Sequence, residues 1–588
     1  MKLIPGFTVK SGLIVAFFAL FPTQLFGQTK PPVEQSIAGR ALTEDGQPAT
    51  GASVTAYSVG GQGTSYMAVC DETGNFKLAG LAPGSYRLTV EASGFVLESH
   101  SLADNVFRAG ENVTVHLVRG GVITGQVTDS AGQPLVGVKV TAHRTRDSEG
   151  NRNLRDPYVR PSKTDDRGIY RIYGLEPGAY ILGVEVDEGG GYGGRDVPTW
   201  HPSTTRAAAT EVFVRAGDEV SNIDIRHRND TGHAVSGRVL GETEGTSPVG
   251  NIGVTLFDAA TKAFVAQDSA NTDSKKFVLA GLPDGEYELF ARSYLPNGES
   301  QVSALRHITI KSVDVTGIEL KLARFGALSG RIVIERPSSA IGKSNDAIPI
   351  AKCEALNPSP NRLEEILIQA REEGRNPRAL NTLLAENGWL DNRASPDSKG
   401  EFALGSLEAS SYRLEFDLPG DGWYIRSITR PAPPAAGGVT KKLDAARAPM
   451  ALKTSERLTG IEVTIAEGAA SLNGRVAAVK EGQKLPPYLQ IHLVPAEVTA
   501  ADDVLRYAET LADKNGAFAI QHLAPGKYWL LARTVAETDV NKAVPHPASL
   551  DPIERARLRR EAEAAKNEIT LQPCQRAKDV TARFAVEK

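Results

Sequence analysis

The residues best suited to chemistry in this chain are aromatics beside turns. The segment DEGGGYGGRDVPTWHPSTTRA (187–207) is glycine-rich and carries Tyr192, Trp200 and His201. Trp423 and Tyr424 flank a strand-like stretch, and Trp529 follows Tyr528. An aromatic ring on an exposed loop can stack on a sugar, because both present apolar faces with polar edges. Tyr192, Trp200, Trp423, Tyr424 and Trp529 are therefore the candidate carbohydrate-stacking residues. Each has a bland alternative: Trp200 pinned onto its own domain, and Trp529 covered by a nearby helix.

Other chemistry is sparse. The pattern Asp-x-x-Gly recurs at Asp71–Gly74, Asp165–Gly168, Asp397–Gly400 and Asp513–Gly516. An Asp that opens a turn accepts backbone N–H groups, and Gly supplies the left-handed residue. Calcium needs six or more oxygens, and one Asp per loop does not supply them. Cys70, Cys353 and Cys574 lie far apart, which suits isolated core residues better than a disulfide framework or a zinc site. Cys574, near the C-terminus, is a candidate free thiol. There is no G-x-S-x-G, H-E-x-x-H or P-loop. No catalytic, cofactor-binding or metal-ligating set is expected, so the chain reads as a non-enzyme. The formal net charge is −4, with both signs spread along the chain. No basic stripe is present of the kind that nucleic-acid binding needs.

The elements that hold these residues come from one phrase written five times: GLAPGSYRLTV (80–90), GLEPGAYILGV (174–184), GLPDGEYELFA (281–291), SLEASSYRLEF (406–416) and HLAPGKYWLLA (522–532). Upstream of each lies a short stretch around Gly-Arg, Gly-Gln or their equivalent, such as SIAGRALT (36–43) and SLNGRVAA (471–478). Downstream lies an alternating stretch, such as ENVTVHLV (111–118) and TGIEVTIA (459–466). Within the phrase, apolar residues recur with period two, the mark of strands with one buried face. Pro and Gly between the two runs mark a tight turn. The pairs Phe76–Tyr86, Tyr170–Tyr180, Phe277–Tyr287, Phe402–Tyr412 and Phe518–Tyr528 keep one spacing, which predicts one reused hairpin. The fourth copy lacks the Pro and Gly (EASS, 408–411), so its loop is expected to be looser.

Gly-Arg or Gly-Gln, then Gly-x-Pro (Gly46–Pro48, Gly132–Pro134), then Asp-x-x-Gly-x-aromatic, then G-L-x-P-G-x-Tyr resembles the carboxypeptidase regulatory-like domain, a transthyretin-like, or prealbumin-like, β-sandwich. The match is strongest in the first two copies and weakest in the fourth. The resemblance implies a binding or structural module, a common extracellular building block. The family's zinc-carboxypeptidase companion needs His-x-x-Glu, and none of the ten histidines has Glu three residues on. Related collagen-binding domains form a Lys–Asn isopeptide bond. The first strands here carry Arg or Gln and no Lys, so that bond is not expected.

The expected fold is all-β, with five tandem Ig-like/transthyretin-like β-sandwich modules at 36–120, 121–232, 233–325, 326–469 and 470–588. Short linkers near Gly120–Gly121 and Phe325–Gly326 suggest an extended rod. Residues 1–27 have the charged, apolar, small-residue order of a signal peptide, and no later stretch is apolar enough to span a membrane. In the fourth module, Leu363, Ile366, Leu367 and Ala370 follow helical spacing, which predicts a helical hairpin over 361–388. A short helix is expected near 551–566, opened by Asp551, Pro552 and Glu554. The functional expectation is a secreted, non-catalytic binding protein that takes a polysaccharide. The alternative is a spacer or protein-interaction scaffold whose partner is an envelope protein. Either is exported, to the periplasm, the outer-membrane surface or the medium.

Overall fold

Each copy of the phrase folds into two strands, but the strands do not pair with each other. In the computed structural model, Asn75–Leu81 pairs with the Gly-Arg strand Gln35–Thr43, setting Phe76 opposite Gly39. Ser85–Glu91 instead pairs with Ser53–Ser58, setting Tyr86 opposite Ser58. The phrase is therefore an arch that carries the chain from one sheet to the facing sheet. The other copies repeat it: Tyr170 lies opposite Gly125, Phe277 opposite Gly237, Phe402 opposite Gly330 and Phe518 opposite Gly474, while the following tyrosines pair in the second sheet. The predicted hairpin is corrected for a simple reason. Period two and a Pro-Gly turn specify two strands and a reversal, but not whether the reversal stays within one sheet.

The structure describes residues 35–584, apart from 60–64, 98–105, 149, 151–158, 186–195, 242–250, 272, 295–299, 336–352, 354–361, 374–392, 433–441, 479–484 and 536–550. The signal peptide expected at 1–27 lies outside the described residues. The architecture is mostly β. The first sheet of each copy holds the first arch strand, the Gly-Arg strand and a closing strand, the downstream stretch of the sequence, which runs parallel to the Gly-Arg strand. The second sheet is built around the second arch strand. In the third copy Ser300–Ser303 joins the two sheets into one of eight strands. Separate apolar clusters fill the space between sheets, for example Ile37 to Leu117 in the first copy and Ala470 to Phe584 in the last.

The Gly of the Gly-Arg strand is required by close approach. A Cβ on Gly39, Gly125, Gly237, Gly330 or Gly474 would come within 2.0–2.2 Å of a carbonyl on the closing strand. The arch aromatic lies across the same glycine: the Phe76 and Phe518 rings stand 2.9 and 2.7 Å from the added atom.

The helical reading of 361–388 fails over its first half. Leu363–Glu365 is a single 3-10 turn, and Leu367–Glu372 is a strand paired with Ser410–Asp417. Ile366, Ile368 and Ala370 are buried in the fourth cluster. Four apolar residues in five satisfy both periods, and the empty place in the second sheet decides for a strand. Residues 374–388 lie outside the described residues. The second predicted helix stands at Pro552–Ala565, with the Asp551 side chain accepting from the Ile553 N–H at 2.7 Å and Lys566 in a left-handed C-cap. No described helix is long and apolar enough to cross a membrane.

Candidate functional site

Four of the five candidate stacking residues are buried or covered within the fold. Trp200 is 7% exposed. Its indole lies over Gly183, where a Cβ would meet the ring at 3.1 Å, beside His143 at 5.3 Å and beneath the Arg206 guanidinium at 4.6 Å. Trp423 is 5% exposed and part of the fourth core. Tyr424 is 1% exposed and packs with Ala466, Ala469 and Ala524 where the fourth and fifth copies meet. Its hydroxyl has no hydrogen-bond partner among the described residues, and burial pushes its pKa up. Trp529 is half-buried under the helix Pro552–Ala565, against Leu558 and Ala562, with Arg559 5.0 Å over its ring. These four therefore form no exposed row. Tyr192 lies outside the described residues.

The Asp loops work as turns. The Oδ1 atom of Asp71 accepts from the Thr73 and Asn75 N–H groups, both at 2.9 Å. Asp165, Asp397 and Asp513 repeat the pair of bonds. The third copy, which lacks the motif, puts Asn271 in the same role and Lys275 at φ 55 in place of the glycine. The Thr73 hydroxyl and the Asn75 amide hold the Asp71 carboxyl below its usual range. Among the described residues no three His, Cys, Asp or Glu side chains gather as a metal site.

The five arch tyrosines share one bond. Tyr86, Tyr180, Tyr287, Tyr412 and Tyr528 each donate a hydroxyl hydrogen to the carbonyl four residues earlier, at 2.6–3.0 Å. Burial raises the Tyr86 pKa to about 12. The bond closes each arch on itself and explains why the phrase always carries Tyr at that place.

Polar groups do gather where copies touch. Arg108 of the first copy donates to Asp417 at 2.9 Å and to the Leu418 carbonyl at 3.1 Å, both in the fourth copy. The chain thus doubles back, against the expected rod. The His522 Nδ1–H donates to the Trp423 carbonyl at 2.9 Å, and Arg576 pairs with Asp421 at 2.8 Å, binding the fifth copy to the fourth. Cys353 and Cys574 form a disulfide with Cα atoms 5.3 Å apart, which overturns the reading of isolated thiols; Cys70 is the free, buried one. Phe325, at the proposed linker, is buried with Phe257, Phe290 and Val302. No spacing in the sequence announced the contacts of Arg108, His522, Arg576 and Cys353, because each joins residues from different copies.

Comparison with known proteins follows this pattern. Two tandem stretches, 36–118 and 122–226, match the family model of the carboxypeptidase regulatory-like domain. The resemblance read from the first two copies therefore holds for them. No curated protein matches. Among solved structures, the Bacillus anthracis TIE protein is similar at 17% identity, over 49% of this chain and 51% of that one, with a TM-score of 0.14. This chain thus spans about half of that protein. A Streptococcal ancillary pilin is similar at 13% identity, over 49% of this chain and 99% of the other, with a TM-score of 0.16. BcpA, the major pilin subunit of Bacillus cereus, is similar at 11% identity over 49% and 99%, with a TM-score of 0.13.

Proposed function

We infer that the chain is an exported, non-catalytic scaffold that contacts protein partners in the cell envelope or outside it, built from modules at 36–120, 121–232, 233–325, 326–469 and 470–588. The observation that carries this reading is the burial of Trp200, Trp423 and Tyr424 and the covering of Trp529. The large aromatics that a lectin would expose are used to build cores and junctions. The Cys353–Cys574 bridge supports export, since such bonds persist in oxidising compartments. Junctions tied by Arg108, His522 and that bridge favour a rigid body over beads on a string.

The test is a polysaccharide panel with the mature chain, run beside melting curves of Trp200→Ala and Trp423→Ala. The expected result is no glycan binding and a loss of about 3–5 kcal/mol in each variant, the usual cost of removing a buried Trp. Glycan binding that disappears in a variant of unchanged stability would overturn the scaffold reading.

A further inference from the structure

The closing strand of the first sheet has a far edge, and the copies treat that edge differently. Phe95–Leu97 pairs with it antiparallel in the first copy, Ser300–Ser303 in the third and Trp423–Pro431 in the fourth. Each capping strand comes from the connection after the second arch strand. Those of the first and fourth copies also feed the core: Phe95 and Leu97 pack on the first cluster, and Trp423 and Ile428 belong to the fourth. In the fifth copy the closing strand is Arg576–Phe584. It pairs with Ala470–Ala478 on one side and with no strand on the other among the described residues. The helix of the following connection covers the outer face of the second sheet instead. One carbonyl of the strand, that of Thr581, accepts from the Asn567 side chain at 3.1 Å. A bare edge is a row of unpaired backbone groups and a template for another strand.

The charge at this edge is also arranged differently. In the third copy Arg238 of the Gly-Arg strand pairs at 2.5 Å with Glu319 opposite it. In the fourth, Glu462 stands opposite Arg331 and pairs with Lys442 at 2.7 Å. In the fifth, the residue opposite Arg475 is Thr581. Arg475, Lys578 and Arg583 are exposed and have no carboxylate partner among the described residues, while Asp579 is the acid next in the chain. Arg475, Lys578, Asp579 and Thr581 line a cleft of about 910 Å³ together with Asp513, Ala517 and Ala519, and Arg583 adds a further cation beyond it on the same strand.

We propose that the Arg576–Phe584 edge docks an extended acidic segment of a partner protein, which adds as an antiparallel strand where the first, third and fourth copies place their own. Backbone pairing supplies the affinity, and the incoming strand replaces the Asn567 bond. Acidic side chains on one face of the segment pair across the strand with Arg583 and Lys578. Apolar side chains on the other face lie beside Ala582 and Phe584, as Trp423 and Ile428 do beside the closing strand of the fourth copy. The inference rests on the scaffold reading and names its partner's chemistry.

The experiment measures binding of a short peptide alternating Glu and Val to the full mature chain, with its Lys-Val counterpart and an alternately N-methylated Glu-Val peptide as controls. Only the unmethylated acidic peptide is expected to bind, with an affinity that falls as salt rises. Combined Arg475→Glu, Lys578→Glu and Arg583→Glu changes are expected to weaken it about tenfold or more. Equal binding of the methylated peptide would overturn strand addition without needing any variant to fold. Competition by polygalacturonate, with no discrimination between the acidic peptides, would assign the cations to an acidic polysaccharide and overturn the proposal. Slow amide exchange of the edge in the free chain, lost when 536–550 is replaced by a Gly-Ser linker, would assign the edge to the chain's own segment, with the same consequence. If the peptide fails to bind, the scaffold reading still stands or falls separately on the glycan panel.

Discussion

The fourth and fifth arches reach the same shape with different supports. In the fifth, Arg506 lies buried under the turn. It pairs with Glu497 at 2.6 Å, donates to the Pro525 carbonyl at 3.2 Å and to the Tyr528 hydroxyl at 3.3 Å, and sits 5.2 Å from the Tyr528 ring centre. A Cβ on Gly526 would strike that guanidinium. The second arch has the same clamp from an unrelated position, with Arg144 held by Glu176 at 2.7 Å and bonded to the Pro177 carbonyl. The fourth arch lacks the Pro-Gly turn. Ser410 stands where the glycine would be and donates to Glu372 at 2.5 Å. Yet Leu407 and Tyr412 are as buried as their counterparts, and the Tyr412 bond to the Glu408 carbonyl is kept at 3.0 Å. The expected looser loop is not what these contacts show. Leu and Tyr make the arch, and Pro, Gly and Arg reinforce it.

If that division is right, the clamp is the costliest part to remove. Arg506→Ala leaves Glu497 and the Pro525 carbonyl without their partner. A loss of about 3 kcal/mol is expected, the low end for a broken buried pair because Glu497 keeps contact with water. The change should appear in thermal melting of the full chain and in faster amide exchange across 517–534, with 401–417 unaffected. Equal disturbance of both arches would mean that they are not separate supports. Next in size, Tyr412→Phe is expected to cost about 1 kcal/mol, one net hydrogen bond. Tyr528→Phe is expected to cost more, since it also strips Arg506 of an acceptor. Equal losses in paired denaturation curves would erase the difference between the arches.

The two arches also differ in what they touch. His522 opens the fifth phrase and bonds the Trp423 carbonyl, whereas Ser406 opens the fourth. Burial lowers the His522 pKa, opposed by that bond and by Asp417 and Asp421, with Arg108 acting in the same sense as burial. The unfolded imidazole then holds a proton more readily than the folded one. Stability from this contact is present above the unfolded value near pH 6.5 and declines as pH falls through it towards the lowered folded value. Melting of the chain between pH 7 and pH 5 is expected to show this decline, flattened in His522→Gln. A decline of the same size in the variant would place the sensitivity elsewhere.

What was legible in the sequence follows from what a local pattern can encode. Phe518, Leu523 and Tyr528 announced buried strand positions, and Asp513 with Gly516 announced a turn, because each acts within a few residues of itself. The arch itself was misread as a hairpin because its two strands choose partners outside the phrase. Leu363 to Ala370 was misread as helix because its spacing suits either period, and only the vacancy beside Ser410–Asp417 chose. Arg506, Arg144 and the Cys353–Cys574 pair carry no local signature, since their partners lie across a loop, a strand or 221 residues. Trp200, Trp423 and Trp529 show the converse limit. An aromatic beside a turn reads as exposed until the element that covers it is known.

The smallest expected effect concerns the first residue of each arch. Gly80, Gly174 and Gly281 sit at φ 69–75, while Ser406 and His522 hold the same place at φ 58 and 59. A left-handed residue with a side chain costs about 1–2 kcal/mol. Ser406→Gly removes that cost but frees the unfolded chain by about 0.4–1 kcal/mol. The difference is a net stabilisation of about 0.5 kcal/mol, visible as a slightly higher denaturation midpoint at unchanged slope. His522→Gly releases the same strain but also breaks the bond to Trp423, so it is expected to destabilise. Opposite signs from one substitution at two equivalent positions would show that the fifth arch keeps its side chain for the junction it makes. Two stabilisations would show that the His522 bond contributes less than the strain it imposes.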